Sequence, residues 1–364
     1  MTNFIISILV MAFVLQVVLT LAGICTWFER KISALLQDRI GVNRSGAKFK
    51  TNSIFLKCLY GFLKIFGVLG FVNTFFCDPI KAFFKEDYIP AGGSKFFHTL
   101  APILAVSPVF IAFAVVPWAP KFTLPFLDQE ILLQVAQVDI GLLFIVAMGG
   151  LSAIGLMFAG YASNNVYSIL GGLRSAAQFI SYELSMGVVF LTVAFVYGSA
   201  DIYQIIVTQG ENPLNWGICK MPLAFLILFI VGMAETKRTP FDLPEAESEL
   251  ISGYSTEYSG MKFFTFWIGE FAEISLVALL CVEFFLGGWN LPFFHLELVT
   301  TYWQATLAFL ILFFKIMLLC ALQIIIRWTL PRFRYDQLMA FGWKVLLPLS
   351  VLGFLITAFF NISY

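Results

Sequence analysis

The residues best suited to chemistry are the carboxylates of one stretch, residues 234–270. This stretch holds seven of the chain's 22 acidic residues: Glu235, Asp242, Glu245, Glu247, Glu249, Glu257 and Glu270. It lies between two long apolar runs. Closely placed carboxylates in a low-dielectric site cannot all be ionised, so their pKa values are raised and coupled. The stretch is therefore a candidate for storing and passing protons, and a solvated loop between two spans is the alternative.

The backbone of this stretch cannot be one continuous helix. Pro240 and Pro244 each interrupt helical hydrogen bonding, which predicts a segment ordered by turns. Glu245, Glu247 and Glu249 alternate, so they cannot share one helical face. We predict an acidic cytoplasmic loop over residues 235–262.

Composition places this loop in a membrane protein. The chain has 364 residues, of which 60% are hydrophobic and 12% are charged, and its net charge is zero. These values are typical of a polytopic membrane protein and give no field that would attract nucleic acid. The six cysteines are scattered without a CxxC or Cys/His cluster, so neither a metal site nor a disulfide framework is indicated.

Apolar runs of suitable length predict an all-α fold with about eight transmembrane helices in a single membrane domain, residues 1–364. The predicted spans are 4–28, 97–117, 138–160, 176–198, 220–235, 263–286, 303–326 and 342–361. Between the first two spans, residues 50–90 mix lysines with Phe-rich intervals. That pattern predicts an amphipathic helix lying in the membrane interface.

The basic residues predict the orientation. Of the 22 Lys and Arg, 19 fall on the same face as the acidic loop. By the positive-inside rule, this is the cytoplasmic face. The acidic loop therefore lies next to many cations.

Charged residues outside the loop suggest further sites. One group is Glu29, Arg30 and Lys31, followed by Arg39. Its position predicts either a charged collar around an opening for an amphiphile or a positive-inside anchor. Glu183 falls inside the fourth span, where a carboxylate must be paired, protonated or in contact with a wet cavity.

Two further groups come from the spans and the last loop. If their helices are neighbours, four acids would form a line across the bundle: Asp139, Glu183, Glu235 and Glu270. Arg332 and Arg334 stand among aromatic residues, which suggests a docking surface for a partner subunit or again an anchor. No P-loop or dinucleotide glycine pattern occurs, so the chain has no visible means of binding NADH or flavin.

Six stretches carry a resemblance to a known family: ERKISALLQDRIGVNR, KAFFKEDYIP, GYASNNVYSILGGLRSAAQFISYE, AETKRTPFDLPEAESELISGYSTEYSGMKF, FLGGWNLPF and RWTLPRFRYDQLMAFGWKVLLPLS. In the family's order, and over nearly the whole chain, they closely resemble the quinone-chamber membrane subunit of proton-pumping NADH:quinone oxidoreductase (respiratory complex I).

The resemblance implies a subunit of a proton-translocating enzyme that forms the membrane part of its quinone channel and couples quinone reduction to proton translocation. No complete redox site is expected in this chain alone. The implied quinone-channel residues are Glu29, Arg30, Lys31, Arg39, Arg238, Asp242, Glu245, Glu247, Glu249 and Glu257. The implied proton-path residues are Asp139, Glu183, Glu235 and Glu270, and Arg332 and Arg334 match the final cytoplasmic loop.

The resemblance also implies a substrate, partners and a location. The substrate is a quinone, either ubiquinone or menaquinone, and flavin and iron–sulfur clusters belong to partner subunits. The partners are the peripheral-arm quinone-site subunits, small membrane-arm subunits and membrane lipid. We predict a multi-pass protein of the bacterial inner membrane, with the mitochondrial inner membrane as the alternative.

The sequence departs from the family pattern at two of the quoted stretches. The family's usual GPNR is GVNR here, and its usual ETNR is ETKR, so Lys237 adds a cation beside the acid cluster. Two other functions stay open. One is the matching subunit of a membrane-bound hydrogenase, whose electron donor depends on its partners. The other is a free-standing transporter, which the lack of an inverted repeat disfavours.

Overall fold

The computed structural model describes residues 2–42, 71, 73–124, 127–210, 212–292 and 299–362. Most of these residues belong to helices. In chain order the helices are α1 (Thr2–Leu36), α2 (Asp78–Phe84), α3 (Lys95–Ala112), α4 (Gly141–Ala162), α5 (Val166–Tyr197), α6 (Ile202–Gln209), α7 (Gly217–Lys220), α8 (Pro222–Glu235), α9 (Glu247–Leu250), α10 (Gly260–Phe285), α11 (Tyr302–Thr329), α12 (Tyr335–Phe341) and α13 (Leu347–Ile362).

Among the described residues, six helical segments are long and apolar enough to cross a membrane. They are α1, α3, α4, α5, α11 and the continuous α12–α13 segment. The shorter apolar α8 and the more highly charged α10 occupy the two remaining predicted spans. The expected all-α polytopic fold is confirmed, while the count of eight spans stays a prediction.

The central helix of the bundle is α10, which packs against α1, α3, α8 and α11. Most of its residues from Phe271 to Phe285 are buried. Glycines allow the neighbouring helices to approach closely. A Cβ on Gly155 of α4 would lie 2.3 Å from the Ala105 backbone nitrogen of α3. The acids of α10 are therefore enclosed by several helices.

Two helices extend beyond the bounds of the predicted spans. The first helix continues to Leu36 instead of ending at 28, so Glu29, Arg30 and Lys31 lie within it. The fourth long helix, α5, begins at Val166 instead of 176, and Arg174 is helical. The reason is an N-cap, because the Asn165 side chain accepts a hydrogen bond from the Tyr167 backbone N–H.

The two ends of the bundle differ in architecture. The end that carries residues 236–259 and 330–334 is called the loop face. The other end, called the opposite face, carries α6, α7 and a small sheet of β1 (Lys121–Leu124), β2 (Leu127–Ile131) and β3 (Val299–Thr301). Strand β1 pairs antiparallel with β2 and parallel with β3. Sequence analysis did not predict this sheet.

The predicted interfacial segment, residues 50–90, lies partly outside the described residues. Its described part contains a π-helical turn, Asn73–Cys77, and α2. The Phe75 ring packs on α1, since a Cβ on Gly23 would lie 2.4 Å from it. The placement of this segment in the membrane interface stays a prediction.

Candidate site for charge and proton transfer

The acidic loop is held against α5 by a buried amide. The Gln178 Nε2 donates to the backbone oxygens of Ala234 and Phe241, at 2.8 and 2.9 Å. The loop closes on itself at Gly253, which has a φ of +55°. A Cβ there would lie 1.7 Å from the Pro244 oxygen, so only glycine permits this turn. These contacts direct the following residue, Tyr254, into the protein.

Arg238 joins the loop to two membrane helices. Its Nη1 lies 3.1 and 3.2 Å from the two carboxylate oxygens of Glu29 on α1. Its Nη2 lies 2.8 Å from Glu270 Oε2 on α10, and its guanidinium stacks over the Phe271 ring at 4.5 Å. Arg327 of α11 also pairs with Glu29. Two arginines thus balance two acids in a largely buried place, as charge burial requires.

Tyr254 extends this network to a third acid. Its hydroxyl oxygen lies 2.5 Å from Glu245 Oε1 and 3.1 Å from Glu270 Oε1. A phenol has one proton, so it donates to one of these carboxyl groups at a time. Burial, reinforced by the Glu270 charge, raises the pKa of Glu245 well above its usual range. We call Glu29, Arg238, Glu245, Tyr254, Glu270 and Arg327 the Arg238 network.

A second group of acids lies beside the network. The Lys237 ammonium is 3.3 Å from Glu273 Oε2, and the Ser152 hydroxyl is 3.3 Å from Glu273 Oε1. Glu235 Oε1 is buried, and it has no hydrogen-bond partner within the described part of the chain. Both carboxylates line a cavity of about 40 Å³ together with Ser152 and Gly149. This volume is sufficient for ordered water, which could bridge the two acids.

Glu183 lies just outside this cavity. Its Oε1 is 3.2 Å from the position that a Cβ on Gly150 would take, and the preceding Gly149 lines the cavity. Three of the four acids of the predicted line, Glu183, Glu235 and Glu270, therefore lie in one region. The fourth, Asp139, precedes α4 at the opposite face, where the Leu142 N–H donates to the Ala200 oxygen.

The remaining predicted quinone-channel residues surround the Arg238 network and have other partners. Their contacts are Arg30 with Asp78 at 2.7 Å, Lys31 with the Ile40 oxygen at 3.2 Å, Arg39 with Gln37, Glu249 with Arg174 at 2.6 Å, and Glu257 with Asn165 at 2.8 Å. The backbone of Glu247 begins α9, and its side chain lies outside what the structure describes.

Asp242 connects the acidic loop to the last loop of the loop face. Its Oδ2 lies 2.8 Å from Arg332 Nη2. Burial raises the pKa of Asp242 to about 6, although Arg332 opposes the shift. The neighbouring Phe333 N–H donates to the Pro240 oxygen at 3.1 Å. Arg334, by contrast, pairs with Asp336 and its side chain is 74% exposed, so it is available to a partner.

Sequence reasoning did not place Glu273, Tyr254 or Arg327 in the site. Glu273 follows Glu270 by three residues, and this spacing puts both acids on the same side of α10. Tyr254 and Arg327 offered no such local signal, because their partners are distant in sequence. Within the described residues, no three His, Cys, Asp or Glu side chains are grouped so as to hold a metal ion.

The described helices thus define an α-helical membrane protein with buried, paired acids at one end of its bundle. The family model described as NADH dehydrogenase matches residues 8–358, and the chain belongs to this family. It is 42% identical over 346 residues to an NADH-quinone oxidoreductase H subunit of Geobacter sulfurreducens, covering 95% of this chain and 93% of that protein.

Two other relatives agree. An NADH-quinone oxidoreductase H subunit of Syntrophobacter fumaroxidans is 40% identical over 355 residues, 98% of this chain and 96% of that protein. The corresponding protein of Flavobacterium psychrophilum is 37% identical over 353 residues, 96% of this chain and 95% of that protein. These relatives confirm the resemblance to the membrane subunit of NADH:quinone oxidoreductase that the sequence motifs carry. With its apolar helices, the chain is an integral multi-pass protein of a bacterial inner membrane.

Proposed function

We propose that this chain is the membrane subunit of a proton-translocating NADH–quinone oxidoreductase, where it forms the membrane part of the quinone channel and couples quinone reduction to proton translocation. The names of its relatives support the enzyme, the H subunit and quinone as the substrate, and the six long apolar helices among the described residues support the membrane location. Flavin and iron–sulfur clusters belong to the partner subunits in this proposal. The observation that carries the coupling role is the Arg238 network beside the Glu235–Glu273 cavity.

The channel in this proposal begins between α1 and α10 at the loop face. Aromatic rings line this region: Trp27 is 6.3 Å from Phe71, and Phe71 stacks on Phe75 at 5.5 Å. Arg30 lies over the Trp267 ring of α10 at 6.0 Å. Apolar rings suit the tail of an amphiphile, and the charged collar suits its headgroup. The headgroup then passes to a partner subunit that docks near Arg332 and Arg334 and supplies the electrons.

Coupling begins with the proton of Glu245. Reduction of a quinone to a quinol takes up two electrons and two protons. If Glu245 gives up one of these protons to the quinone and water supplies the other, a second negative charge appears beside Glu270, next to the shared phenol of Tyr254. Glu245 takes up a proton again before the next cycle. Two neighbouring carboxylates in this buried place attract the Arg238 guanidinium more strongly. Glu29 remains balanced, because Arg327 also pairs with it.

The displacement then reaches the second group of acids through the backbone. Lys237 directly precedes Arg238, and its ammonium is 3.3 Å from Glu273. A shift of Arg238 toward Glu245 and Glu270 therefore changes the Lys237–Glu273 separation. Weaker pairing raises the proton affinity of Glu273, which then takes a proton from the cavity that it shares with Glu235. The energy of quinone reduction thus moves a proton at a distance from the quinone.

The test is a comparison of Glu245→Gln and Glu273→Gln in the intact enzyme, reconstituted in closed vesicles. We measure the NADH:quinone reductase rate and the protons translocated per NADH oxidised. Glu245→Gln should lower both, because the network can no longer release its proton. Glu273→Gln should lower the proton ratio more than the rate. Unchanged proton ratios in both variants would contradict the coupling role.

A matched control is Glu249→Gln. Glu249 belongs to the same loop, but it pairs with Arg174 near the surface, and its side chain is 48% exposed. An ion pair at the surface contributes little to the free energy of unfolding. This variant should therefore keep both the quinone reductase rate and the proton ratio. If Glu249→Gln were as defective as Glu245→Gln, the effect would belong to loop folding rather than to the Arg238 network.

A further inference from the structure

Glu283 is a buried acid that the proposed function does not use. It lies near the opposite-face end of α10, and its exposure is 0%. Within the described part of the chain, neither of its carboxylate oxygens has a hydrogen-bond partner. A carboxyl with only a structural role is normally hydrogen-bonded. An isolated buried carboxylate would lose its hydration without compensation, so Glu283 is protonated at rest.

Its position on α10 connects it with the Glu235–Glu273 cavity. The cavity is lined on α10 by Glu273, Leu276, Val277 and Leu280. These residues recur at helical spacing of three and four, and the next position of the same face is Glu283. At about 1.5 Å per residue, Leu280 and Glu283 are separated by about 4.5 Å along the helix axis. The cavity thus ends about one helical turn from the Glu283 carboxyl.

Polar groups begin again immediately beyond Glu283. The Gln209 Nε2 of α6 donates to the Glu283 backbone oxygen at 2.6 Å. Gln209 Oε1 in turn accepts from the Gly287 N–H at 2.9 Å. The buried amide of Asn290 donates to the Ile206 oxygen at 3.3 Å. These groups belong to the segments that form the opposite face.

A cation is fixed at the same place. The Lys315 ammonium of α11 donates to the backbone oxygens of Leu286, Gly288 and Asn290, at 2.7, 2.9 and 2.6 Å. It also lies 4.8 Å from the Trp216 ring centre. Leu286 is only three residues beyond Glu283. The Lys315 ammonium is thus held beside the last turn of α10, which carries Glu283.

We infer that Glu283 carries protons between the Glu235–Glu273 cavity and the opposite face, as the second half of a path along α10. This inference rests on the proposed function. In each cycle the O–H bond of Glu283 breaks on the side of Gln209 and Lys315, and the proton leaves toward the opposite face. A new O–H bond then forms with a proton from the cavity. No electrons move in this step.

The experiment uses Glu283→Gln in the intact enzyme in closed vesicles. Gln keeps the size of the side chain but carries no exchangeable acidic proton. The protons translocated per NADH oxidised should fall, while the quinone reductase rate stays at the wild-type value. A merely structural carboxyl would not change this ratio. A wild-type ratio in Glu283→Gln would overturn the inference.

Gln323→Leu is the matched control. Gln323 is also buried, on the neighbouring α11, and neither of its side-chain amide atoms has a partner within the described residues. This variant should keep the wild-type ratio, because the side-chain amide of Gln323 has no acidic proton to transfer. A ratio lowered as strongly as in Glu283→Gln would show that any change of a buried polar group disturbs pumping, and would overturn the inference.

Glu283→Asp keeps the inference testable if Glu283→Gln does not assemble. The measurement is the infrared difference spectrum between the oxidised and the quinone-reduced enzyme. A carboxyl band that shifts in Glu283→Asp supports proton transfer at this residue, and a band identical to wild type overturns it.

Glu273→Gln separates the two proposals. If it lowers the proton ratio and Glu283→Gln does not, only the path beyond the cavity fails.

Discussion

The two ends of α10 treat buried charge in opposite ways. At the loop face, Glu270 is one member of a network in which acids and guanidinium groups lie within hydrogen-bond distance of each other. At the opposite face, Glu283 has no partner for its carboxyl within the described residues, and Lys315 is satisfied by backbone oxygens. One helix therefore contains a balanced charge cluster and an isolated acid.

The difference indicates a division of labour. In a balanced cluster, the loss of one proton changes every neighbouring pair, so the cluster responds strongly to chemistry beside it. An isolated acid has no neighbour to reorganise, and it can only bind or release its own proton. We interpret the first arrangement as suited to sensing quinone reduction and the second as suited to proton transfer.

Replacement of Arg238 should give the largest effect, because it breaks the balanced end. Arg238→Leu leaves Glu270 without its cation and leaves Glu29 with Arg327 alone, and removal of one partner from a buried pair costs about 3–5 kcal/mol. We expect little assembled enzyme and no quinone reductase activity. The measurements are the amount of assembled complex in the membrane and the activity per complex.

Arg238→Lys sharpens this prediction. Lysine keeps the charge but cannot contact Glu29 and Glu270 in the planar fork geometry of arginine. This variant should assemble and retain only part of the activity. An Arg238→Leu enzyme with wild-type assembly and rate would show that the network is not needed.

Replacement of Lys315 should give the next largest effect, and it tests the opposite end. Lys315→Met leaves the oxygens of Leu286, Gly288 and Asn290 without their donor. An unsatisfied buried acceptor costs about 1–3 kcal/mol, so the melting temperature of the assembled enzyme should fall. Differential scanning fluorimetry in detergent measures it. An unchanged melting temperature would mean that water replaces the ammonium without loss.

Tyr254→Phe should have a moderate effect on the balanced end. It removes a hydrogen bond of about 1 kcal/mol without opening a cavity. The Tyr254 hydroxyl lowers the pKa of Glu245 against the effect of burial. Its loss should therefore move the Glu245-dependent limb of the pH–activity profile to higher pH. A profile that moves to lower pH, or not at all, would contradict the assignment.

Asp242 gives a smaller, pH-dependent effect. Its pKa is raised from 3.8 to about 6, so the native protein binds this proton more tightly than the unfolded chain does. The stability that the group contributes is present below pH 3.8 and is lost as pH rises through about 6. Hydrogen exchange in residues 238–246 should accelerate over this range.

Arg332→Gln is the companion variant for Asp242. Arg332 lowers the pKa of Asp242, so its removal should move the exchange midpoint to higher pH. Asp242→Asn, which does not titrate, should abolish the pH dependence. If the midpoint stays in place in Arg332→Gln, the 2.8 Å pair does not set the titration.

Arg174→Gln should have the smallest effect. The Arg174–Glu249 pair is near the surface, where such pairs contribute about 0–1 kcal/mol. Rate, proton ratio and melting temperature should all match the wild type. A clear loss of quinone reductase activity would mean that the pair belongs to the functional network.

Much of the fold could be predicted from the sequence, because membrane spans are long apolar runs. The ends of the helices were harder to predict from the sequence. Arg174 made the start of α5 resemble a loop, although Asn165 caps a helix there. The sheet was missed because its strands are three to five residues long, and β3 joins β1 from a distant part of the chain.

The sequence predicted which residues belong to the site better than it predicted which of them pair with each other. The acidic loop and Glu183 were evident from charge in apolar surroundings. Glu29 and Arg238 are 209 residues apart, and no local pattern shows that they pair. Glu273 was not assigned to the site, because its partners, Lys237 and Ser152, come from two other segments. Asp139 lies at the opposite face, and its place in the proton path stays a prediction.

The central claim is that Glu245 changes protonation when quinone is reduced. The direct measurement is the infrared difference spectrum between oxidised and quinone-reduced intact enzyme, in wild type and in Glu245→Gln. We predict a carboxyl band in the wild type that disappears in Glu245→Gln and remains in Glu249→Gln. Identical spectra for wild type and Glu245→Gln would contradict the claim.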